Sequence, residues 1–167
     1  MLTSNDTNRS YRCESAGPAP GCRRGLGCSR ATRSPIAAHA FRELNPRTPF
    51  AMNWHLKLIA AKLEAVRAGR IRRLIVSLPS RHLKSHLASI AFPAWCLGHE
   101  PSAEILCVSY AQDLADKLGR DCRGIMMSPW YRRIFPTRLA PHRQAVQEFL
   151  TTAQGYRLAT SNGGVAG

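Results

Sequence analysis

The sequence predicts an α/β domain built on a mostly parallel central sheet. Residues 74–78 and 104–110 are short apolar runs of the kind that form buried strands, and a segment with helical spacing follows each of them. Strands that alternate with helices favour parallel pairing through right-handed crossovers. The chain has 167 residues, of which 44% are hydrophobic, which is enough for one ordinary domain with a core.

The N-terminal segment differs from the rest of the chain. Residues 1–35 are rich in Gly, Pro, Ser and Arg and show no period of 2 or 3.6 residues. We expect this segment to be disordered, although an incorrectly assigned start site would give the same composition. The domain is accordingly predicted to occupy residues 36–167.

The first helices are predicted from spacing and from breaker residues. Residues 37–45 form a short helix, which the sequence "PRTPF" ends. Asn53 is placed to cap a second helix, and Gly69 is placed to end it. The apolar residues of that helix recur at helical spacing: Leu56, Ile59, Leu63 and Val66.

The central part reads as strand, loop, helix, strand and helix. Residues 74–78 predict a strand buried on both faces, residues 79–83 a loop, and residues 84–97 a helix that Pro93 kinks or ends. The run "EILCVSY" predicts the second strand. The helix over residues 111–127 has Gln112 and Asp113 as N-terminal capping residues. Its apolar face comprises Leu114, Leu118, Cys122 and Ile125.

The last part of the chain predicts a β-hairpin. The segments "AVQEFLTT" and "GYRLATS" flank a short Ala-Gln-Gly link.

The charge of the chain is strongly positive and unevenly distributed. Lys and Arg number 24 against 10 Asp and Glu, a net charge of +14, and residues 46–90 hold 9 basic residues and 1 acidic residue. This balance favours a polyanionic partner, either nucleic acid or nucleotide phosphates. A solubilising surface would give the same charge.

The six cysteines do not have the spacing of a zinc site. Cys96, Cys107 and Cys122 occupy apolar positions and are predicted to be small core residues, whereas Cys13, Cys22 and Cys28 are predicted to be unpaired. No apolar stretch could span a bilayer and no signal-peptide core is present, so we expect an intracellular protein.

The stretch "LPSRHLKS", residues 78–85, has the order of a phosphate-binding loop. Lys84 and Ser85 stand at the start of a helix that follows an apolar run, where a lysine reaches phosphates and a hydroxyl holds Mg²⁺. The usual pattern GxxxxGK[ST] would place glycines at Leu78 and Leu83, so both glycines are absent. A plain turn from strand to helix with a surface lysine is the alternative.

A wider resemblance covers residues 37–164. "RHLKS" resembles the arginine-bearing phosphate loop, often R-H-G-K-S, of phage large terminase subunits, the ATPases that package viral DNA into procapsids. "FPAWCLGHEP", "ILCVSYAQDLADKLGRD", "SPWYRRIFP" and "TTAQGYRLATSNGG" resemble the segments that follow in that family. "ELNPRTPFAMNWHLKLIAAKLEAV" resembles its lead-in.

The resemblance implies a P-loop NTPase-like domain with three layers, with ATP and Mg²⁺ as cofactors. It implies that Lys84 contacts the β- and γ-phosphates, that Ser85 holds Mg²⁺ and that Arg81 stabilises the γ-phosphate. Backbone N–H groups of Ser80, His82 and Leu83 would line the loop. A leucine at position 83 tolerates fewer backbone conformations than the glycine of the family.

The region of Trp54 and His55 is implied to contact adenine. Trp54 would then stack on the base, and the alternative is a tryptophan that packs as a hydrophobic anchor against its own helix.

The resemblance also implies what the whole protein does. The family takes its catalytic acids from a strand that follows a glycine-rich segment, and this sequence reaches "SNGGVAG" without that strand. We therefore expect an N-terminal ATPase-domain fragment, truncated before the acidic strand, that binds nucleotide weakly and does not hydrolyse it. Implied partners are double-stranded DNA, a portal protein, the small terminase subunit and further copies of the chain, in the cytoplasm of a bacterial host.

Two alternatives belong to other classes: a basic nucleic-acid-binding protein without a nucleotide role, and a non-functional prophage remnant.

Overall fold

A computed structural model of the chain describes residues 34–162, and describes side chains over residues 36–142 and 145–162. The predicted disordered segment therefore lies outside the described residues, except for Ser34 and Pro35, whose backbone begins the first helix. Cys13, Cys22 and Cys28 also lie outside. The helices are α1 (Ser34–Leu44), α2 (Trp54–Arg67), a π-helical segment (His86–Ala91), α3 (Phe92–His99), α4 (Gln112–Met127) and α5 (Pro129–Ile134). The strands are β1 (Glu104–Ser109), β2 (Leu139–Gln144), β3 (Glu148–Thr151) and β4 (Tyr156–Ser161).

The structure is mixed α/β, as predicted, but its sheet is not mostly parallel. The four strands have the order β1-β4-β3-β2. β1 and β4 are parallel, with Glu104 opposite Tyr156, whereas β3 pairs antiparallel with both β4 and β2. The predicted hairpin is confirmed as β3 and β4, and β2 was not predicted.

The predicted strand over residues 74–78 is wrong. This segment is extended, but no described strand pairs with it, and no backbone–backbone hydrogen bond is made by residues 72–77 within the described chain. Its side chains alternate between exposed and half-buried. Ile75 is 94% exposed, and Val76 and Leu78 pack against the core. Only one face of this segment is covered by the core. An apolar run forms a buried strand only where a neighbouring strand pairs with it, and no described strand does so.

The helices pack against one face of the sheet. α4 contacts β1, β4 and the π-helical segment, and Gly119 makes this close packing possible, since a Cβ there would lie 2.8 Å from the carbonyl oxygen of Val146. The other face of β1 is uncovered. The described residues thus form two layers, whereas the resemblance implies three.

The helix that follows the loop begins at Lys84, as predicted, and it continues through Pro93 rather than ending there. The turns before Pro93 are π-helical instead, over His86–Ala91, and α3 continues from Phe92. Proline has no N–H for the carbonyl four residues earlier, which is that of Ser89. The Arg157 guanidinium of β4 donates to this carbonyl oxygen at 3.1 Å.

The three described cysteines are free thiols, and Cys96 and Cys122 are buried while Cys107 is half-buried. Burial raises the pKa of Cys96 and of Cys122 to about 12. Both thiols are therefore protonated, which confirms their prediction as small core residues. Within residues 34–162 no helix is long and apolar enough to cross a membrane.

We expect Arg157 and Pro93 to be energetically coupled. Arg157→Met should lower the free energy of unfolding by about 1–2 kcal/mol more in the wild type than in the Pro93→Ala variant. In that variant an alanine N–H replaces the guanidinium as donor to the Ser89 carbonyl. Urea unfolding of the wild type, both single variants and the double variant measures this difference. Equal effects of Arg157→Met in the two backgrounds would contradict the proposed pairing.

Two histidines with a lowered pKa, the buried His86 and the exposed His99, should make stability depend on pH. Desolvation lowers the pKa of His86, although its hydrogen bond with the Ala37 carbonyl and the charge of Asp121 partly oppose this shift. Desolvation and the positive charge of Arg67 both lower the pKa of His99. The unfolded chain therefore binds protons that the folded chain does not, from about pH 6.5 downward. The free energy of unfolding should fall as the pH drops below about 6.5 toward the folded-state pKa values. His99→Gln should reduce this slope in urea unfolding measured at several pH values, and a slope equal to that of the wild type would contradict the prediction.

Candidate functional site

The loop between the extended segment and the helix is held in an unusual backbone conformation. Arg81 has φ 66° and Leu83 has φ 58°, and these are two of only three non-glycine residues with positive φ in the described chain. Such residues each lose about 1–2 kcal/mol relative to a right-handed conformation. Two of them within three positions indicate a backbone that the surrounding structure enforces.

The sign of φ alternates along the loop. Ser80 and His82 have negative φ, and Arg81 and Leu83 have positive φ. Successive residues of opposite handedness turn their backbone N–H groups toward one side, and this arrangement binds anions. Leu83 has a positive φ, which glycine adopts more readily than leucine does.

Lys84 is the first residue of the helix that follows the loop. Its Nζ donates a hydrogen bond to the carbonyl oxygen of Leu78, so the ammonium spans the loop from the helix start to the end of the extended segment. Arg81 and Ser85 are exposed, and Lys84 is half-buried. These three polar groups are placed to meet an anion from outside.

Aromatic side chains connect the loop to the start of α2. The rings of His82 and His55 lie 5.6 Å apart, and those of His55 and Trp54 lie 6.0 Å apart in an edge contact. The Nδ1 of His82 also makes a 2.9 Å hydrogen-bond contact with the Ser80 carbonyl oxygen. The loop and the first turn of α2 therefore form adjacent parts of one surface.

Trp54 does not pack as a hydrophobic anchor, because its side chain is 75% exposed. It forms one end of a cleft of about 280 Å³ between α2 and the extended segment. The lining residues are Trp54, His55, Leu58, Ile59, Lys62, Leu74, Ile75, Val76, Ser77 and Leu78. The cleft is mainly apolar and ends beside the loop of residues 79–85, which we call the phosphate-type loop. Its volume is near the lower limit for small-molecule sites.

The predicted caps differ from the observed ones. Asn53 is at the N-cap position of α2, but its side chain makes no capping hydrogen bond. Ala111, rather than Gln112 or Asp113, is the N-cap of α4, and the Gln112 amide donates to Asp116 at 2.7 Å. Gln112 and Asp113 are therefore part of the helix itself.

Metal ligands are sparse around the loop. Over the described part of the chain no group of three or more His, Cys, Asp or Glu side chains is placed to hold a metal ion. The exposed Ser85 hydroxyl at the helix start is the one predicted ligand. A single hydroxyl suits Mg²⁺ only when waters and phosphate oxygens fill the other positions.

Basic side chains precede the loop in the sequence. Arg70, Arg72 and Arg73 are exposed immediately before the extended segment, and Lys57 and Lys62 are exposed on α2. Much of the positive charge that the composition predicts for this third of the sequence is therefore on the surface.

Two features of the site were not predicted. The contact between His55 and His82 joins residues 27 positions apart, and nothing in the spacing of the sequence indicates it. Arg157, which anchors the helix behind Lys84, could have been noticed. The strand alternation of "YRLATS" puts Arg157 on the same face as Ala159, and both are buried.

The positive φ of Leu83 should make a glycine variant at this position more stable than an alanine variant, which is the reverse of the usual order of stability. Both Leu83→Ala and Leu83→Gly remove the same half-buried side chain, but only glycine adopts φ 58° without strain. We expect Leu83→Gly to be more stable than Leu83→Ala by about 1 kcal/mol in urea unfolding. At Gly69, which has φ 72° and open space around it, the control Gly69→Ala should be destabilising by a similar amount. An alanine variant at 83 as stable as the glycine variant would contradict the strain.

In comparisons with known proteins, no family model matches the chain, and neither a curated protein nor a solved structure matches it. None of these comparisons identifies a terminase, and the resemblance of residues 37–164 to large terminase subunits stays a prediction that rests on the residues quoted for it.

Proposed function

We propose that the loop of residues 79–85 binds the phosphates of a nucleoside triphosphate, and that the chain is the N-terminal ATPase part of a phage large terminase subunit. The observation that carries the proposal is the backbone of the loop. Arg81 and Leu83, which have positive φ, alternate with residues of negative φ immediately before the helix that begins with Lys84. N–H groups arranged in this way at a helix N-terminus attract anions.

Each residue of the site has a role in this proposal. Lys84 exchanges the Leu78 carbonyl for the β- and γ-phosphates, since the charged oxygens of a phosphate are stronger acceptors than a carbonyl. Arg81, whose side chain is exposed, neutralises the γ-phosphate. The backbone N–H groups of Ser80, His82 and Leu83 surround the phosphates. Ser85 supplies a hydroxyl to the Mg²⁺ that accompanies the nucleotide.

Trp54 is the proposed base-binding residue. Its exposed indole ends the cleft on the side of α2, and an adenine stacked on it would be close to the His55 and His82 rings. Stacking on an aromatic side chain is worth about 1–3 kcal/mol per base. This contact orients the base while the loop holds the phosphates.

Binding without turnover is the activity proposed for residues 34–162. Phosphoryl transfer to water needs a carboxylate for the metal and a group that orients the attacking water. Among the described residues, no group of three or more His, Cys, Asp or Glu side chains is placed to hold a metal ion. The hydrolysis reaction, double-stranded DNA, the portal protein, the small terminase subunit and assembly with further copies belong to the proposed full-length motor in the bacterial cytoplasm.

A second candidate is a basic nucleic-acid-binding protein without a nucleotide role. The exposed arginines at 70, 72 and 73, together with the net charge of +14, favour it. Phosphate contacts made by such residues would give DNA binding that weakens steeply with salt. A remnant without function would show neither activity.

We expect ATP to bind weakly, with a Kd of about 0.1–1 mM, and to quench the fluorescence of Trp54. Lys84→Ala should weaken binding at least tenfold, because it removes the cation that faces the phosphates. Lys57→Ala, an exposed lysine of α2 that does not line the cleft, is the matched control. Trp54→Phe should remove the fluorescence change and leave binding detectable by calorimetry.

Three outcomes separate the candidates. ATP binding that is equal in Lys84→Ala and Lys57→Ala would refute the loop as the phosphate site. Salt-dependent DNA binding that ATP and Lys84→Ala leave unchanged would favour the second candidate. ATP hydrolysis abolished by Lys84→Ala would show that residues outside the described site complete the catalytic centre.

A further inference from the structure

One face of the sheet carries apolar side chains that no described element covers. Leu106 and Val108 of β1 are 57% and 55% exposed. We define the open face by the side chains that share this side of the sheet: Glu104, Leu106, Val108, Glu148, Leu150, Tyr156, Leu158 and Thr160.

The strand register arranges these side chains in rows. Leu106 is opposite Leu158, which is in turn opposite Glu148. Glu104 is opposite Tyr156, and Tyr156 is opposite Leu150. The apolar residues therefore form a continuous stripe, and a carboxylate lies at each side of it, one on β1 and one on β3.

A helix is the element that such a face accommodates. β1 and β4 are parallel, and parallel strands are nearly always covered by helices on both faces. Here α4 covers only one face. β1 has 6 residues, which corresponds to about 20 Å of strand, and three strands span about 10 Å. A helix of about 13 residues has this length and this diameter.

The charge of the open face selects the kind of helix. The chain has a net charge of +14, yet the residues of β1, β3 and β4 on this face include two carboxylates and no lysine or arginine. The Tyr156 hydroxyl donates to Glu104 at 3.2 Å, which holds this carboxylate at the border of the stripe. Nucleic acid would be repelled here, whereas Lys or Arg beside an apolar stripe would pair with Glu104 and Glu148.

We infer that the open face is a docking surface for an amphipathic helix of another polypeptide, with an apolar stripe flanked by lysine or arginine side chains. This surface is independent of the phosphate-type loop, so its occupation does not depend on nucleotide binding. The helix would supply the second covering layer that the parallel pair β1 and β4 lacks.

The test uses the full chain and a fluorescein-labelled 14-residue helical peptide with a leucine stripe and lysine flanks. Two further peptides serve as probes: one with glutamate in place of each lysine, and one with the same composition in scrambled order. Fluorescence anisotropy at several salt concentrations measures binding. We expect saturable binding of the lysine-flanked peptide only, weakened at least tenfold by Leu106→Ser with Val108→Ser and by Glu104→Gln with Glu148→Gln.

The matched control is Ile134→Ser, which removes an apolar side chain of α5 that is 51% exposed and lies outside both the open face and the cleft. It should leave peptide binding unchanged. Circular dichroism melting checks that every variant folds, as expected for substitutions at exposed or half-exposed positions. Binding that does not distinguish the three peptides, or that survives both open-face double variants, would overturn the inference. Concentration-dependent dimerisation abolished by Leu106→Ser with Val108→Ser would show instead that a second copy covers this face.

Discussion

The hydrogen bond from Arg157 to the Ser89 carbonyl is the interaction on which the arrangement of the site depends. It joins the strand β4 to the helix behind the phosphate-type loop, across 68 positions of the sequence. The helix needs this donor because Pro93 cannot supply the one that a regular helix would have. Arg157 is fully buried, and the absence of a side chain at Gly119 leaves room for its guanidinium. The position of Lys84 relative to the sheet thus depends on an arginine far away in the sequence.

This burial also has an energetic consequence. The Nε and Nη1 of Arg157 have no hydrogen-bond partner among the described residues. An unpartnered polar atom in the interior is unfavourable by about 1–3 kcal/mol. Because Arg157 is nevertheless buried here, we infer that the stabilisation gained by joining the helix to β4 outweighs the free-energy cost of desolvating the guanidinium. The positive charge of Arg157 also opposes the rise that burial causes in the pKa of the half-buried Cys107 thiol.

Local patterns in the sequence predicted much of the fold, and they failed where the structure depends on distant partners. The start of the helix at Lys84, the hairpin of β3 and β4 and the buried cysteines follow from spacing, turn residues and side-chain size. The run at residues 74–78 was predicted as a buried strand, but a strand also needs a paired neighbour, which composition does not reveal. The π-helical segment was missed because Pro93 indicates a break, and the compensating donor comes from Arg157. At the candidate site, the order of residues alone predicts that Lys84 and Ser85 stand at the start of the helix, whereas the exposure of Trp54 depends on how α2 lies beside the extended segment.

The unpaired backbone of residues 72–77 determines how the loop is supported. On its C-terminal side the loop continues into a helix anchored in the core, but on its N-terminal side it follows six residues that no hydrogen-bonded ladder restrains. A ligand held between the loop and the cleft would have to immobilise this segment, and the loss of chain entropy would be subtracted from the binding free energy. Anything that pairs with residues 72–77 beforehand would remove that loss. The affinity of the site is therefore set by the freedom of the segment that leads into it as well as by the charges that face the ligand.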